Sequence, residues 1–171
     1  MRCTHSRSVR GGFTLIEVAV ATAIVGIALA ALLVAVGSNT RVNDAGAKLT
    51  QASFLAQEIR EWTLTLPFSD PDPGDAGNPP GPDGSDPQHF VDDLDDLIDV
   101  TYSPPRDGEG NAMYGMEGWS QTISLTWRDP NSLLTSVTPG ESDIICVQVD
   151  VAFEGQTIIN TNWLVARRDE E

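Results

Sequence analysis

The sequence predicts an α+β fold, in which a long amino-terminal helix packs on a small antiparallel sheet. Two patterns carry this prediction. Residues 13–66 form an apolar run and then a stripe of apolar side chains spaced three or four positions apart, which is the period of a helix. Segments within residues 119–165 alternate between apolar and polar side chains, which is the period of half-buried strands. A helix followed by strands belongs to the α+β class.

The first element, residues 13–36, is almost entirely apolar and contains one acidic residue, Glu17. As a helix it would span roughly 36 Å, which is enough to cross the hydrocarbon core of a bilayer. Three arginines precede it, and most of the acidic residues follow it. The positive-inside rule therefore predicts a cytoplasmic amino terminus and a carboxy-terminal domain on the other side of the membrane.

Three interpretations of this amino terminus compete. An ordinary secretory signal has a shorter apolar stretch, of about 7–15 residues. A plain signal anchor explains the length and the orientation but not Glu17. A carboxylate in a bilayer costs about 2.5–3.5 kcal/mol at mid-span and usually has a partner. The third interpretation supplies that partner.

The segment from Gly12 to Glu17, which reads Gly-Phe-Thr-Leu-Ile-Glu, resembles the type III signal of type IV prepilins and type II secretion pseudopilins. The resemblance implies that a prepilin peptidase cleaves between Gly12 and Phe13 and N-methylates Phe13. It also implies that Glu17 pairs with the charged amine of Phe13 on a neighbouring subunit. Such a pair would select the axial register of the subunits, because an unpaired charge in a low dielectric is strongly unfavourable.

On this interpretation the chain divides into five parts, and the fold is pilin-like. Pro67 ends the helix at Leu66, because proline disfavours helical backbone in the residue before it. The parts are a leader removed by the peptidase (1–12), a transmembrane and filament-core half of the helix (13–36), an amphipathic half (37–66), an acidic loop region rich in proline and glycine (67–118) and the sheet of the globular domain (119–171). The predicted core consists of Leu55, Ile59, Trp62, Ile123, Leu125, Val147, Val149, Val151 and Trp163.

The acidic loop region raises the question of a metal. Asp107, Glu109 and Asn111 alternate like the oxygen ligands of a calcium loop. The EF-hand pattern is absent, however, so we expect a solvated loop with no cofactor, and calcium is the secondary interpretation. A weaker resemblance, to minor pilins of the pilus-assembly and mannose-sensitive-haemagglutinin type, rests on four short segments of this region. They are Leu66-Pro67-Phe68, Phe90 to Asp99, Pro104-Pro105 and Gly118-Trp119.

Charge and cysteine content limit the partners. The net charge is −15, from 10 basic and 25 acidic residues, so the surface repels nucleic acid and is poorly suited to anionic lipid. Cys3 lies in the leader, which leaves Cys146 without an intramolecular disulfide partner after processing. We interpret Cys146 as a small buried side chain in a strand.

No catalytic set is visible, so the chain is predicted not to be an enzyme. His89 is the single histidine after the leader, and a lone histidine makes a poor case for a triad or a zinc site.

The resemblance implies a minor type IV pilin-like subunit that joins a pilus or primes its assembly. The implied partners are other pilin or pseudopilin subunits, the prepilin peptidase, an inner-membrane assembly platform and membrane lipid. The alternatives are a type II secretion pseudopilin and a membrane-tethered adhesin or binding module.

Overall fold

A computed structural model of the chain describes residues 12–71, 79–82 and 90–168. It confirms the predicted α+β class. Helix α1 is followed by a short 3₁₀-helix and a five-stranded antiparallel sheet. The elements are α1 (Leu15–Thr65), the 3₁₀-helix (Asp95–Leu97), β1 (Val100–Tyr102), β2 (Trp119–Asp129), β3 (Ser132–Ser136), β4 (Ile144–Phe153) and β5 (Gln156–Ala166). Leader residues 1–11, His89 and parts of the acidic loop region (72–78 and 83–89) lie outside the described residues.

The chain divides into two compact units, and the boundary in the sequence lies between Ala45 and Gly46. In the first unit, the described residues belong mostly to α1, and their apolar side chains are exposed. The second unit contains the rest of α1, the 3₁₀-helix and the sheet. An apolar surface of this size is unfavourable in water, so the first unit is consistent with a segment surrounded by a bilayer or by other helices.

The sheet has the strand order β1-β2-β4-β5, and β3 pairs with the end of β2. The long pairs β2–β4 and β4–β5 form its centre. Glu154 and Gly155 join β4 to β5 with φ angles of 50° and 79°. Two consecutive positive φ angles are typical of a type I′ turn, whose twist matches that of a hairpin. The turn therefore positions β5 as an edge strand of the sheet.

The core lies between the second part of α1 and the sheet. Every predicted core residue is buried except Leu125 and Trp163, which are half-buried. The buried α1 side chains recur at helical spacing, and the buried β4 side chains occupy alternate positions. Each fully buried aliphatic side chain contributes roughly 1.5–3 kcal/mol, so this interface is the main stabilising contact of the second unit.

Two strands and the 3₁₀-helix were not predicted. The 3₁₀-helix and β1 lie within the region interpreted as a loop, yet they contribute Leu94, Leu97, Val100 and Tyr102 to the core. Tyr102 is 1% exposed, and its ring centroid lies 5.8 Å from that of Trp62 on α1. This segment therefore closes the side of the core next to β2.

Candidate functional site

The first turn of α1 holds the residues that sequence analysis singled out. Glu17 donates its main-chain N–H to the hydroxyl of Thr14 at 3.3 Å, and the carboxylate of Glu17 accepts the main-chain N–H of Thr14 at 3.4 Å. This reciprocal pair is a capping box, which satisfies main-chain donors that a helix start leaves unpaired. Glu17 also lies where the positive end of the helix dipole favours a negative charge. The carboxylate therefore has a local role in addition to the predicted one between subunits.

The capping box sits beside an apolar surface. The Phe13 side chain is 83% exposed, and Leu15 and Ile16 are exposed as well. One side of the helix forms a shallow, apolar groove of about 540 Å³. Its lining residues are Phe13, Glu17, Val18, Ala21, Thr22 and Val25. If another helix covered this groove, burial of the Glu17 carboxylate would be favourable only with a positive charge or a further donor beside it.

Helix α1 meets the length and composition requirements of a membrane span, and none of its most apolar stretch is buried within the protein. Gly12 and Phe13 precede its first residue, Leu15, so cleavage between them would leave α1 intact. The exposed apolar surface of the first unit is consistent with membrane anchoring.

The structure places the three calcium candidates in one turn. Asp107 accepts the main-chain N–H groups of Glu109 at 3.0 Å and Asn111 at 2.8 Å. These hydrogen bonds, with nearby Arg106, hold the pKa of Asp107 below its usual range despite some burial. Among the described residues, no group of three or more histidine, cysteine, aspartate or glutamate side chains could hold a metal ion. Asp107 therefore serves as the acceptor that closes the turn, and calcium binding stays a prediction.

This turn is also attached to the helix. Gly108 donates its N–H to the carboxylate of Glu58 at 2.7 Å. Gly110 has a φ of 81°, and its Cα faces the indole ring of Trp62, where a Cβ would lie 2.7 Å from two ring carbons. The close approach requires glycine, so the turn is a fixed part of the second unit.

A buried acidic turn was missed by sequence analysis, which interpreted the aspartates between Phe90 and Asp99 as part of a solvated loop region. Asp93 is 2% exposed, and its carboxylate accepts the N–H groups of Asp95 at 2.9 Å and Asp96 at 3.2 Å. Burial, followed by the charge of Asp95, raises the pKa of Asp93 to about 7. The turn starts the 3₁₀-helix and directs Leu94 into the core.

Cys146 lies in β4, as predicted, but it is half-buried rather than buried. Its neighbour Val147 points into the core, so Cys146 points to the opposite face of the sheet. Among the described residues it forms no disulfide bond.

Comparison with known families confirms the predicted signal. Residues 7–33 match the prokaryotic N-terminal methylation motif, which is the type IV prepilin-like signal. The match includes Gly12, Phe13 and Glu17. It supports a type IV pilin-like or pseudopilin-like protein with a structural role, and it implies interaction with a prepilin peptidase and with pilin subunits in general. A search of curated proteins finds no match, and a search of solved structures finds none.

Proposed function

We propose that this chain is a minor pilin-like subunit, which is processed between Gly12 and Phe13, held in the inner membrane by the first part of α1, and then incorporated into a pilus or used to prime its assembly. One observation carries the proposal. The methylation motif includes the beginning of an exposed apolar helix, and the first turn of this helix contains a single carboxylate, that of Glu17. A retained span of this kind suits a subunit that moves from lipid into a bundle of similar helices.

The assembly step follows from the chemistry of the first turn. Cleavage after Gly12 would convert the main-chain nitrogen of Phe13 into a charged amine, close to Leu15, the first residue of α1. In a bundle, the amine of one subunit would lie against the carboxylate of Glu17 on the next. The attraction grows as water and lipid headgroups are excluded, so a subunit in the wrong register would leave both charges buried and unpaired.

The proposed orientation has the leader in the cytoplasm and the second unit on the far side of the inner membrane. Arg2, Arg7 and Arg10 support it through the positive-inside rule, and the acidic surface of the rest of the chain is compatible with translocation. In the assembled pilus, the apolar part of α1 would supply the packing between subunits. The second unit would face outward.

A minor pseudopilin of a type II secretion system is the second candidate, because it shares the same amino-terminal motif. The two candidates differ in destination. A pilus subunit is recovered with filaments sheared from the cell surface, whereas a pseudopilus subunit stays in the cell envelope. A membrane-tethered binding module would join neither assembly and would be recovered only in the membrane fraction.

Mass spectrometry of the mature amino terminus tests the proposal. We expect a protein that begins at N-methylated Phe13 in cells with an active prepilin peptidase, and a protein that retains residues 1–12 in cells that lack the enzyme. A mature protein that begins at Met1 in both strains, or downstream of Val36, would contradict the proposal, because the span would then be unprocessed or lost.

A further inference from the structure

The edge strand β5 borders a groove that is separate from the amino-terminal site. The groove has a volume of about 330 Å³ and lies between α1 and β5, within the second unit. Its helix side is a single stripe of Ser53, Ala56, Gln57 and Arg60, and its strand side consists of Ile159, Thr161 and Trp163. These three β5 residues pair with buried β4 residues, so they lie on the face of the sheet that covers the core.

Arg60 is an unmatched cation in this groove. Its side chain is exposed, and among the described residues no acidic group forms an ion pair with it. The helix itself provides no carboxylate three or four residues away, because those positions hold Ala56, Gln57, Thr63 and Leu64. In a chain with a net charge of −15, a guanidinium left without a carboxylate is available to an outside one.

The wall beside Arg60 is held rigidly. Trp163 donates its indole N–H to the hydroxyl of Thr63 at 3.2 Å, and Thr63 donates that hydroxyl to the main-chain carbonyl oxygen of Arg60 at 3.0 Å. Thr63 is fully buried. The chain of hydrogen bonds ties the strand side of the groove to the helix side.

Strand β5 has a hydrogen-bonding edge that no other described strand occupies. Within the described part of the chain it pairs with β4 alone, over 10 of its 11 residues, and it contains neither proline nor a charged side chain. Edge strands of soluble domains are usually protected by such residues or by a covering element, because their unpaired main-chain groups can bind another strand. An unprotected edge next to a groove is the arrangement that strand addition uses.

We propose that the groove and the β5 edge together bind an extended segment of a partner protein, which adds a strand to the sheet and places one carboxylate on Arg60. The alternate side chains of the added strand would point toward α1, so a small apolar residue would meet Ala56 and Trp163, and an acidic residue two positions away would meet Arg60. The overall negative charge of the chain repels a strongly acidic partner, which limits the segment to one carboxylate among uncharged residues. The groove and the β5 edge both lie within the second unit, so this binding does not depend on the proposed function.

Synthetic peptides test this proposal on the full-length chain in detergent. The probe is a short peptide of alternating valine and threonine with one glutamate on the inward side, and its matched control has glutamine instead. We expect the glutamate peptide to bind about tenfold more tightly, because a charge-assisted hydrogen bond to Arg60 replaces a neutral one. Arg60→Gln should remove that difference. Arg168→Gln should preserve it, since this exposed arginine lies beyond the end of β5 and outside the groove.

Peptides with N-methyl groups on alternate amides test the strand pairing. Methylation along one edge of the peptide should abolish binding, and methylation along the other edge should not, because an added strand uses one edge for β5. The proposal would be overturned by a glutamate preference that survives Arg60→Gln, by equal binding of the two methylated peptides, or by the failure of all peptides to bind. Binding of an acidic oligosaccharide instead of the peptides would assign the groove to a different class of ligand and would also overturn the proposal.

Discussion

The side-chain amide of Gln121 donates a hydrogen bond to the main-chain carbonyl oxygen of Leu55 at 2.8 Å and thereby links strand β2 to helix α1 inside the core. The same amide donates to the carbonyl oxygen of Arg106 at 3.1 Å, and its oxygen accepts the N–H of Arg106. Gln121 is fully buried. The side chain of Gln121 therefore connects strand β2 to helix α1 and to the turn that follows β1.

Replacing Gln121 tests this link. We expect Gln121→Leu to lower the free energy of unfolding by about 2–3 kcal/mol, because a buried hydrogen bond to Leu55 and two half-buried ones to Arg106 would be lost. Urea unfolding of the detergent-solubilised chain, followed by tryptophan fluorescence, measures the loss. Gln148→Leu is the control, since Gln148 is exposed in β4 and its replacement should change stability by less than about 0.5 kcal/mol. Equal effects of the two changes would show that the buried link is unimportant.

The approach of Gly110 to Trp62 gives a second prediction. Gly110→Ala should destabilise the second unit by about 2–4 kcal/mol, because the new Cβ would overlap the indole ring and the residue would keep a positive φ. Gly115→Ala is a matched control, with a φ of 85° and no atom within 4 Å of the added Cβ. It should cost only the backbone strain, about 1 kcal/mol. Thermal unfolding of both variants separates strain from overlap, and indistinguishable melting temperatures would contradict the proposed contact.

Periodicity predicted the parts of the fold that carry enough residues to show a period. Helix α1 and strands β2, β4 and β5 each contain 10 or more residues, and each has one side against the core. Strand β1 has three residues, and strand β3 has five that are all exposed, so neither contains an alternation that sequence analysis could detect. Their pairing with β2 depends on neighbours that come from elsewhere in the chain.

Sequence analysis was limited in the same way at the candidate sites. Glu17 was identified by its chemistry in an apolar run. Its capping box with Thr14 was not predicted, although the Thr-x-x-Glu spacing was an available signal. Asp93 was assigned to a solvated loop region because a run of aspartates is usually exposed. Its burial is stabilised by main-chain donors of its own turn, which composition does not show. The spacing of Leu94 and Leu97 was the available signal.

The raised pKa of Asp93 predicts a pH-dependent stability. The folded state holds a proton on Asp93 up to about pH 7, whereas the unfolded chain loses it near 3.8. The contribution of this group is therefore greatest below pH 3.8 and is lost as the pH rises to about 7. The raised pKa of Asp92 acts in the same direction. The lowered pKa of Asp107 stabilises the fold above pH 3.8, and that contribution is lost only at lower pH.

Melting temperatures measured between pH 4.5 and pH 8 check this prediction, with the range chosen from the pKa of about 7. We expect the wild-type chain to become less stable across the range and Asp93→Asn to reduce the slope, because asparagine resembles the protonated carboxyl and does not titrate. Asp99→Asn should keep the wild-type slope, since Asp99 is exposed and asparagine tolerates its φ of 52°. A slope that is the same in Asp93→Asn and in the wild type would exclude Asp93 as its source.

The two roles of Glu17 can be separated by replacing it with glutamine. A glutamine at the third helical position still accepts the N–H of Thr14, so Glu17→Gln preserves the capping box but removes the charge. If the carboxylate pairs with the amine of Phe13 on the next subunit, the variant should insert and be processed normally. Its recovery in sheared filaments should nevertheless fall at least about tenfold, because the amine would be buried without a counter-charge.

Thr14→Ala provides the complementary variant, since it removes the hydroxyl acceptor of the cap and keeps the charge of Glu17. We expect it to cost about 1 kcal/mol of helix stability and to preserve most of the incorporation. Immunoblots of membrane and filament fractions, normalised to the processed form, measure both variants. If Glu17→Gln assembles like the wild type while Thr14→Ala fails, the carboxylate acts through the helix cap, and the charge pair between subunits does not set the register.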